Sequence, residues 1–222
     1  IGVRLVGSEM CIRDSYKVDS VTYVNERATA TQQTGFTFVS QSRSWLPDEV
    51  GGILWFGVDD AASTVYFPMY TAATQVPYAY AVGNGSMMEF TNKAAFWVFN
   101  QVTNLAYTRY NVIHPDIRAK QKALETQYKA YVQMTDAAAM SIIAQDQKLA
   151  VAYLTDFSCN TGNQLVATWR DFYAYLFPRY MDGNIKTALP GQKNPKVENP
   201  PLPDWYLRTI INHMGDKQKV VE

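Results

Sequence analysis

The chain has 222 residues, 47% of them hydrophobic, and its 20 Lys and Arg residues are balanced by 20 Asp and Glu residues. This length suits one large domain or two small ones, and the composition is that of a folded chain. The zero net charge, without a long run of Lys or Arg, argues against binding to nucleic acid or to a membrane surface. No stretch approaches the roughly 18 apolar residues that a membrane span needs. Two cysteines are too few for a disulfide framework or a four-thiolate zinc site.

The first 15 residues, IGVRLVGSEMCIRDS, show neither helical nor strand periodicity. Charged residues interrupt any apolar core, so this segment does not have the pattern of a signal peptide. The part LVGSEMCIRDS resembles the translation of an adapter used to prepare sequencing libraries. We therefore predict that residues 1–15 are a non-native leader. Cys11 then lacks an environment that would make its thiol reactive, and we expect no catalytic role for it.

Strand patterns fill about residues 16–80. GFTFVSQSR alternates so that Phe36, Phe38 and Ser40 share one face, which predicts a strand with an apolar side. SWLPDEVGG indicates an irregular connection. The following GILWFGV is apolar almost throughout and predicts a strand buried on both faces. The next pattern, STVYFPMYTAAT, contains Pro68, which cannot donate to a ladder, so this strand is predicted either to lie at a sheet edge or to have a bulge there.

Helical patterns fill about residues 92–181. TNKAAFWVFNQVTNLAYTRY predicts a deeply buried helix, and a second helix is predicted to have Pro115 in its first turn. TDAAAMSIIAQ predicts a short separate helix. QKLAVAYLTDFSCNTGNQLVATWRDFYAYLF predicts a long one. Gly162 weakens its middle by about 1 kcal/mol relative to Ala, which leaves a break there open. Residues 182–222 are predicted to form an extended irregular segment that ends in the short helix DWYLRTIINHM. Strands followed by helices predict the α+β class.

Few residues can be assigned a chemical role from their sequence pattern alone. Asp59 and Asp60 at a strand end suit either a metal or acid–base site or a structural turn, and their opposite directions on the strand favour the turn. His114 and His213 are isolated, so neither is expected to act as a general base, and His114 is predicted to cap a helix at the surface. Cys159 is predicted to be a small buried side chain. We predict no metal site and no cofactor.

Two longer stretches are more specific than these short patterns. The run SWLPDEVGGILWFGVDDAASTVYFPMY and the run FTNKAAFWVFNQVTNLAYTRY resemble peptidase family C69, dipeptidases of the N-terminal nucleophile (Ntn) hydrolase class. With the weaker stretches PDI, YMDGNIK and DWYLRTIINHMGDK, the resemblance extends over residues 16–222. It implies a partial αββα Ntn-hydrolase sandwich, with antiparallel strands in the N-terminal third followed by helices. Residues 16–222 are then the C-terminal part of one dipeptidase domain.

The resemblance also implies a reaction. Family members use a cysteine near the N-terminus as nucleophile and its freed α-amino group as base, so no histidine is needed. Neither Cys11 nor Cys159 stands at such a position. We therefore predict a C-terminal fragment of a cysteine-nucleophile dipeptidase, inactive alone. The parent is expected to be a bacterial enzyme of the cytoplasm or periplasm. Its dipeptide substrate is the one partner we predict, and a homo-oligomer is left open.

Polar residues beside the strands are the candidates for binding the dipeptide, and none of them is carried over as catalytic. They are Gln33, Thr34, Arg43, Asp59 and Asp60, with Gln32 just before them. The Arg43 guanidinium suits a substrate carboxylate, although a solvated strand end explains it as well. If part of the sheet belongs to a missing segment, we expect poorly covered strand faces around residues 53–56.

Two alternatives to the dipeptidase stay open. Aromatic residues make up 14% of the chain, and a non-catalytic module would bind a glycan or a peptide on a platform formed by Trp45, Trp55, Tyr66 and Tyr70. A shallow exposed face formed by these four side chains would favour this module, whereas internal side chains would favour the hydrolase. The other alternative is a structural subunit whose sheet is completed by another chain.

Overall fold

A computed structural model describes residues 15–24, 30–31 and 33–220. The chain divides into two compact units, residues 1–176 and 177–222. Apart from Ser15, the predicted leader lies outside the described residues, and so do Cys11 and Gln32.

Three antiparallel strands form the main sheet of the first unit, in the order β3-β4-β5. They are β3 (Phe36–Ser42), β4 (Gly52–Val58) and β5 (Phe67–Tyr70). A separate hairpin, β1 (Ser15–Val18) with β2 (Val21–Val24), precedes them. Pro68 lies on β5, an edge strand, as predicted. The connection before β4 is less irregular than predicted, since it contains the short helix α1 (Asp48–Gly51).

Long helices follow the sheet in this unit. They are α2 (Ala95–Thr108), α3 (Tyr110–Ile143) and α4 (Gln147–Tyr180), of which the last four residues fall in the second unit. The prediction that Pro115 opens a helix is wrong, because α3 begins at Tyr110 and Pro115 lies inside it. A proline removes one backbone hydrogen bond, and the remaining bonds and packing of this 34-residue helix carry it through that position. The short separate helix predicted after α3 is also wrong, since its sequence continues α3.

The core lies where α3 and α4 pack on one face of β4 and β5. Its buried members are Val50, Ile53, Tyr70, Val132, Ala139 and Leu154. Further along α4, Trp169 is fully buried and stacks on Phe99 of α2 with 4.9 Å between ring centroids. Helices hold 54% and strands 16% of the structure, in small antiparallel sheets, which confirms the α+β class.

Strand β3 is the least covered part of the main sheet. Phe36, Phe38 and Val39 expose 60%, 54% and 57% of their surface. By contrast, Ile53 of β4 is fully buried, so the prediction that the poorest cover lies around residues 53–56 is wrong. Residues 54–56 are only half-buried, and β4 is therefore not a strand buried on both faces either. The reason lies in the packing: the core that α3 and α4 form on the sheet takes side chains from β4 and β5 and none from β3.

Polar side chains of α4 hold the chain segment that follows β5. Ser158 Oγ accepts a hydrogen bond from the Tyr70 N–H at 3.1 Å, and Thr155 Oγ1 accepts one from the Thr74 N–H at 3.1 Å. Further along, Asn163 Oδ1 accepts one from the Ala79 N–H at 3.1 Å. We call residues 70–79 the clasped segment. Its path is therefore fixed by one face of α4.

Gly162 lies between these clasping residues and does not break α4. A Cβ atom at this position would lie 2.6 Å from Pro77 Cγ and 2.9 Å from Phe67 Cε2. The glycine is thus explained by the close approach of the clasped segment and β5, and α4 continues through it.

The second unit contains a hairpin and a helix. Strand β6 (Ile185–Thr187) pairs with β7 (Lys196–Glu198), where an irregular segment was predicted. Helix α5 (Asp204–Met214) has the predicted bounds. Within the described part of the chain, no helix has the length and apolar character to cross a membrane.

Candidate functional site

Asp59 and Asp60 begin a buried polar cluster where β4 ends. The Asp59 N–H donates to the Gly35 carbonyl at 3.1 Å, which ties this end to the start of β3. Asp59 has a φ of 66°, a left-handed conformation that Asp tolerates better than most residues. Both side chains are fully buried. The turn therefore places two carboxyl groups inside the protein at one end of the sheet.

The Asp60 carboxylate is used in holding this turn. Its Oδ1 accepts a hydrogen bond from the Ala62 N–H at 3.0 Å, and its Oδ2 accepts one from the Ser63 hydroxyl at 3.1 Å. The Tyr107 hydroxyl of α2 donates to the same Oδ2 at 3.5 Å. These partners fit the structural role favoured by the sequence.

The Asp59 carboxyl has a different environment. Its Oδ1 accepts a hydrogen bond from Asn100 Nδ2 of α2 at 2.9 Å. Its Oδ2 is buried without a hydrogen-bond partner among the described residues. Burial raises the pKa of Asp59 from 3.8 to about 6, and interactions with Asn100 and Thr103 oppose that rise only in part. Asp59 is therefore a carboxyl group with a pKa of about 6, well above that of an exposed aspartate.

His114 and Gln121 of α3 close the other side of the turn. The His114 ring stacks on Tyr110 at 4.2 Å, and its Nε2 donates to the Ala62 carbonyl at 3.2 Å. Gln121 Nε2 donates to the same carbonyl at 3.1 Å and also to the Thr64 carbonyl. Burial lowers the pKa of His114, which favours the neutral ring. The prediction of a surface cap is wrong, because the ring packs into the cluster.

The structure brings four of the five substrate-binding candidates to one end of the sheet. Gln33 is exposed and Thr34 half-buried, and both precede Gly35, which bonds to Asp59. Arg43 follows the opposite end of β3, a strand of seven residues and about 24 Å. A single dipeptide therefore does not reach Arg43 and Asp59 together.

Arg43 lies in a buried ion pair with Asp136 of α3. Its Nη1 pairs with Asp136 Oδ2, and its Nη2 donates to Asp136 Oδ1 at 3.2 Å and to the Val50 carbonyl. Its Nε donates to the Gly51 carbonyl at 3.4 Å. The Tyr70 hydroxyl adds a 2.6 Å bond to Asp136 Oδ1. Arg43 is thus not a solvated strand end, and it would have to break its ion pair with Asp136 to bind a substrate.

Cys159 of α4 has the environment of a structural cysteine. Its side chain is half-buried, and the thiol donates to the Gln75 carbonyl at 3.6 Å. Burial, and then the nearby Asp156 carboxylate, raise the pKa of the thiol. A nucleophilic cysteine requires the opposite effect on its pKa. Among residues 15–24, 30–31 and 33–220, no group of three or more His, Cys, Asp or Glu is placed to hold a metal ion.

Sequence reasoning missed the α2 residues that face the carboxyl pair. Asn100, Thr103 and Tyr107 follow one another at helical spacing, and Thr103 is buried. This polar stripe on an otherwise apolar helix was the available signal. It indicates a buried polar partner, here the end of β4.

The four aromatic residues proposed as a platform do not share one exposed face. Trp45 exposes 75% of its surface, whereas Tyr70 exposes 1%. Trp55 and Tyr66 are half-buried and bonded within the sheet: Trp55 Nε1 donates to Gln41 Oε1, and the Tyr66 hydroxyl accepts from Thr37, both at 2.9 Å. This distribution does not support a binding platform at these residues.

Comparison with known protein families shows which family this chain belongs to. A model of peptidase family C69 matches residues 11–123, just over half of the chain. This chain belongs to peptidase family C69. The C69 match includes β1–β5, α2, the carboxyl pair and the first part of α3. It begins at residue 11, inside the predicted leader, and the C69 resemblance predicted for residues 124–222 lies outside it. No curated protein matches the chain.

Proposed function

We propose that this chain is the C-terminal part of a cysteine-nucleophile dipeptidase and that it does not cleave dipeptides alone. The observation that carries the proposal is the C69 match, taken together with the environment of Cys159. A cysteine peptidase of the Ntn class needs a reactive thiol beside its own α-amino group. Cys159 lies within a helix, and its pKa is raised.

In the complete enzyme, the N-terminal cysteine attacks the carbonyl carbon of the dipeptide, and its α-amino group accepts the thiol proton. Donors of an oxyanion hole stabilise the resulting tetrahedral oxyanion. The α-amino group returns the proton to the leaving amine as the C–N bond breaks. Water then hydrolyses the thioester, which releases the second amino acid and restores the thiol.

Strand β3 supports the proposal that further chain belongs beside this sheet. Three of its apolar side chains are more than half exposed. Its sequence, FTFVSQS, contains no charged residue and no proline, the usual protections of a free edge. A further strand from the missing part would pair with this edge and cover the apolar side chains.

Gln33, Thr34, Asp59 and Asp60 are the residues that we propose to act at the substrate site. Gln33 and Thr34 are accessible and would contact the dipeptide. Asp59 and Asp60 are buried, so they would position the turn and set its charge without contacting the substrate directly. Arg43 is left out, because Asp136 already holds its guanidinium.

The test is a dipeptide-hydrolysis assay on the purified 222-residue chain, with alanyl-alanine as substrate and release of alanine as the readout. We expect no turnover above the buffer rate for the wild type or for Cys159→Ala. Turnover that Cys159→Ala abolishes would show that this thiol is the nucleophile, and turnover that survives would show another catalytic group. Either result would refute the proposal.

A second measurement examines the thiol itself. In a Cys11→Ser background, the rate at which Cys159 reacts with a chromogenic disulfide is recorded against pH. The proposal expects an apparent pKa above the ordinary value for cysteine, because burial and Asp156 disfavour the thiolate. An apparent pKa well below that value would indicate an activated cysteine and contradict the proposal.

A further inference from the structure

Helices α3 and α4 enclose a groove on the outer side of the first unit. Both helices pack on the same core, and the space between them has a volume of about 990 Å³. A smaller cavity of about 420 Å³ shares Lys120 and Thr168 with it and extends it to Tyr175. Along α4, the lining runs from Tyr153 to Tyr175, about 33 Å of helix. The groove therefore suits an extended ligand better than a compact one.

Aromatic rings line the inner part of this groove. Tyr128 is buried, Tyr153 and Phe157 are half-buried, and Tyr131 exposes 39% of its surface. Phe172 lies at the narrower end, with Lys120 Nζ 6.0 Å from its ring centroid. Such rings offer flat apolar surfaces, and the tyrosines add hydroxyl groups at their edges.

Side-chain amides line the rim. Asn160 and Gln164 of α4 are exposed and make no hydrogen bond to other described residues. Gln127 of α3 donates to the Tyr131 hydroxyl and keeps its carbonyl oxygen available. In the larger cavity, Lys120 and Asp156 are the two charged lining residues, one of each sign. The smaller cavity adds Asp171, so the whole groove has one lysine and two aspartates, a small net negative charge beside its amide donors and acceptors.

These features distinguish between classes of ligand. The backbone groups of two helices are bonded within each helix, so a peptide cannot bind here by adding a strand. A polyanion finds no excess of positive charge, and a single net negative charge offers a polycation little to bind. A sugar ring presents C–H faces to aromatic rings and hydroxyl groups to amides, and both are present. We propose that the groove between α3 and α4 binds a neutral oligosaccharide.

This inference does not depend on the peptidase proposal, since none of the groove residues belongs to the carboxyl cluster. The experiment is calorimetric titration of the whole chain with three hexasaccharides: cellohexaose, chitohexaose and the polyanion hexagalacturonate. We expect at least one neutral hexasaccharide to bind with a Kd below about 1 mM, and hexagalacturonate to bind at least tenfold more weakly.

Matched variants locate the binding. Tyr131→Ala and Gln164→Ala remove a groove ring and a groove amide, and each is expected to weaken binding at least tenfold. Tyr78→Ala and Gln133→Ala remove exposed side chains of the same types elsewhere, and are expected to leave the Kd unchanged. Near-ultraviolet circular dichroism checks that each variant is folded.

Hydrogen exchange on the wild type gives a readout that does not rely on variants. The bound hexasaccharide is expected to slow exchange in residues 120–131 and 153–175. Absence of binding by both neutral sugars, equal binding of the polyanion, or protection outside these two stretches would overturn the proposal. Equal loss of affinity in groove and control variants would overturn it as well.

Discussion

Replacing Asp136 with alanine tests the buried ion pair that joins β3 to α3. The Arg43 side chain is 7% exposed and that of Asp136 is 19% exposed, so removing the carboxylate leaves a guanidinium charge inside the protein. Breaking such a pair costs about 3–5 kcal/mol. Arg43 retains the carbonyls of Val50 and Gly51, and some water reaches the site, so we expect the lower value, about 3 kcal/mol. The Tyr70 hydroxyl also loses its 2.6 Å acceptor.

Urea unfolding followed by tryptophan fluorescence measures this loss, which corresponds to a fall in Tm of about 6–12 °C. Asp171→Ala, at an exposed site of α4, serves as the control and is expected to change the free energy of unfolding by less than about 0.5 kcal/mol. The double variant Arg43→Met with Asp136→Leu is expected to be more stable than Asp136→Ala, because it leaves no unpaired charge. A loss below about 1 kcal/mol for Asp136→Ala would refute this reasoning.

Two other substitutions test the packing of α4 and the charge of the carboxyl cluster. Gly162→Ala is expected to lower the free energy of unfolding by about 1–3 kcal/mol, because the new Cβ meets Pro77, and this outweighs the better helix propensity of alanine. Gly35→Ala, with open space around it, is the control. Equal effects of the two substitutions in urea unfolding would contradict the packing argument. Asp59→Asn is expected to remove a pH dependence of stability while keeping the acceptor for Asn100. Because the folded-state pKa of about 6 lies above 3.8, the wild type binds its proton more tightly when folded, and it loses at most about 3 kcal/mol as the pH rises from about 4 to 6. Unfolding curves of both proteins at about pH 4 and pH 7 check this, and the same pH dependence in both would contradict it.

The elements that local patterns predicted correctly are those whose signals lie close together in the chain. The alternation of GFTFVSQSR specified β3, and the apolar run before Thr108 specified α2. Asp204 after a proline-rich stretch marked the start of α5. Each of these signals lies within a short stretch of the chain.

Errors arose where a distant residue decides the local structure. Thr135 and Asp136 follow the cap pattern of a new helix, yet Asp136 pairs with Arg43, 93 residues earlier in the chain, and the helix continues through it. Gly162 suits a break in the helix as well as a close approach of another segment, and the contact with Pro77 decides for the approach. In both cases the local pattern fits two structures, and a tertiary contact selects one.

The candidate site was predictable in its position more than in its chemistry. A carboxyl pair after an apolar strand located the polar cluster. Its partners Asn100 and Thr103 come from a helix some 40 residues later, and local spacing does not reveal which strand end that helix covers. Whether a carboxyl is buried, and hence where its pKa lies, depends on that packing.

The hydrogen bonds that polar side chains of α4 accept from the clasped segment are donated by its main-chain N–H groups. Thr155, Ser158 and Asn163 thus prescribe the route of residues 70–79, whereas the side chains of residues 74–76 are exposed and leave these positions open to replacement. A protein engineer who wishes to attach a label there can substitute one of these exposed positions, away from the buried side chains at the two ends of the segment. The same freedom does not extend to the three helix positions, where losing the side chain would remove one of the bonds that hold the segment.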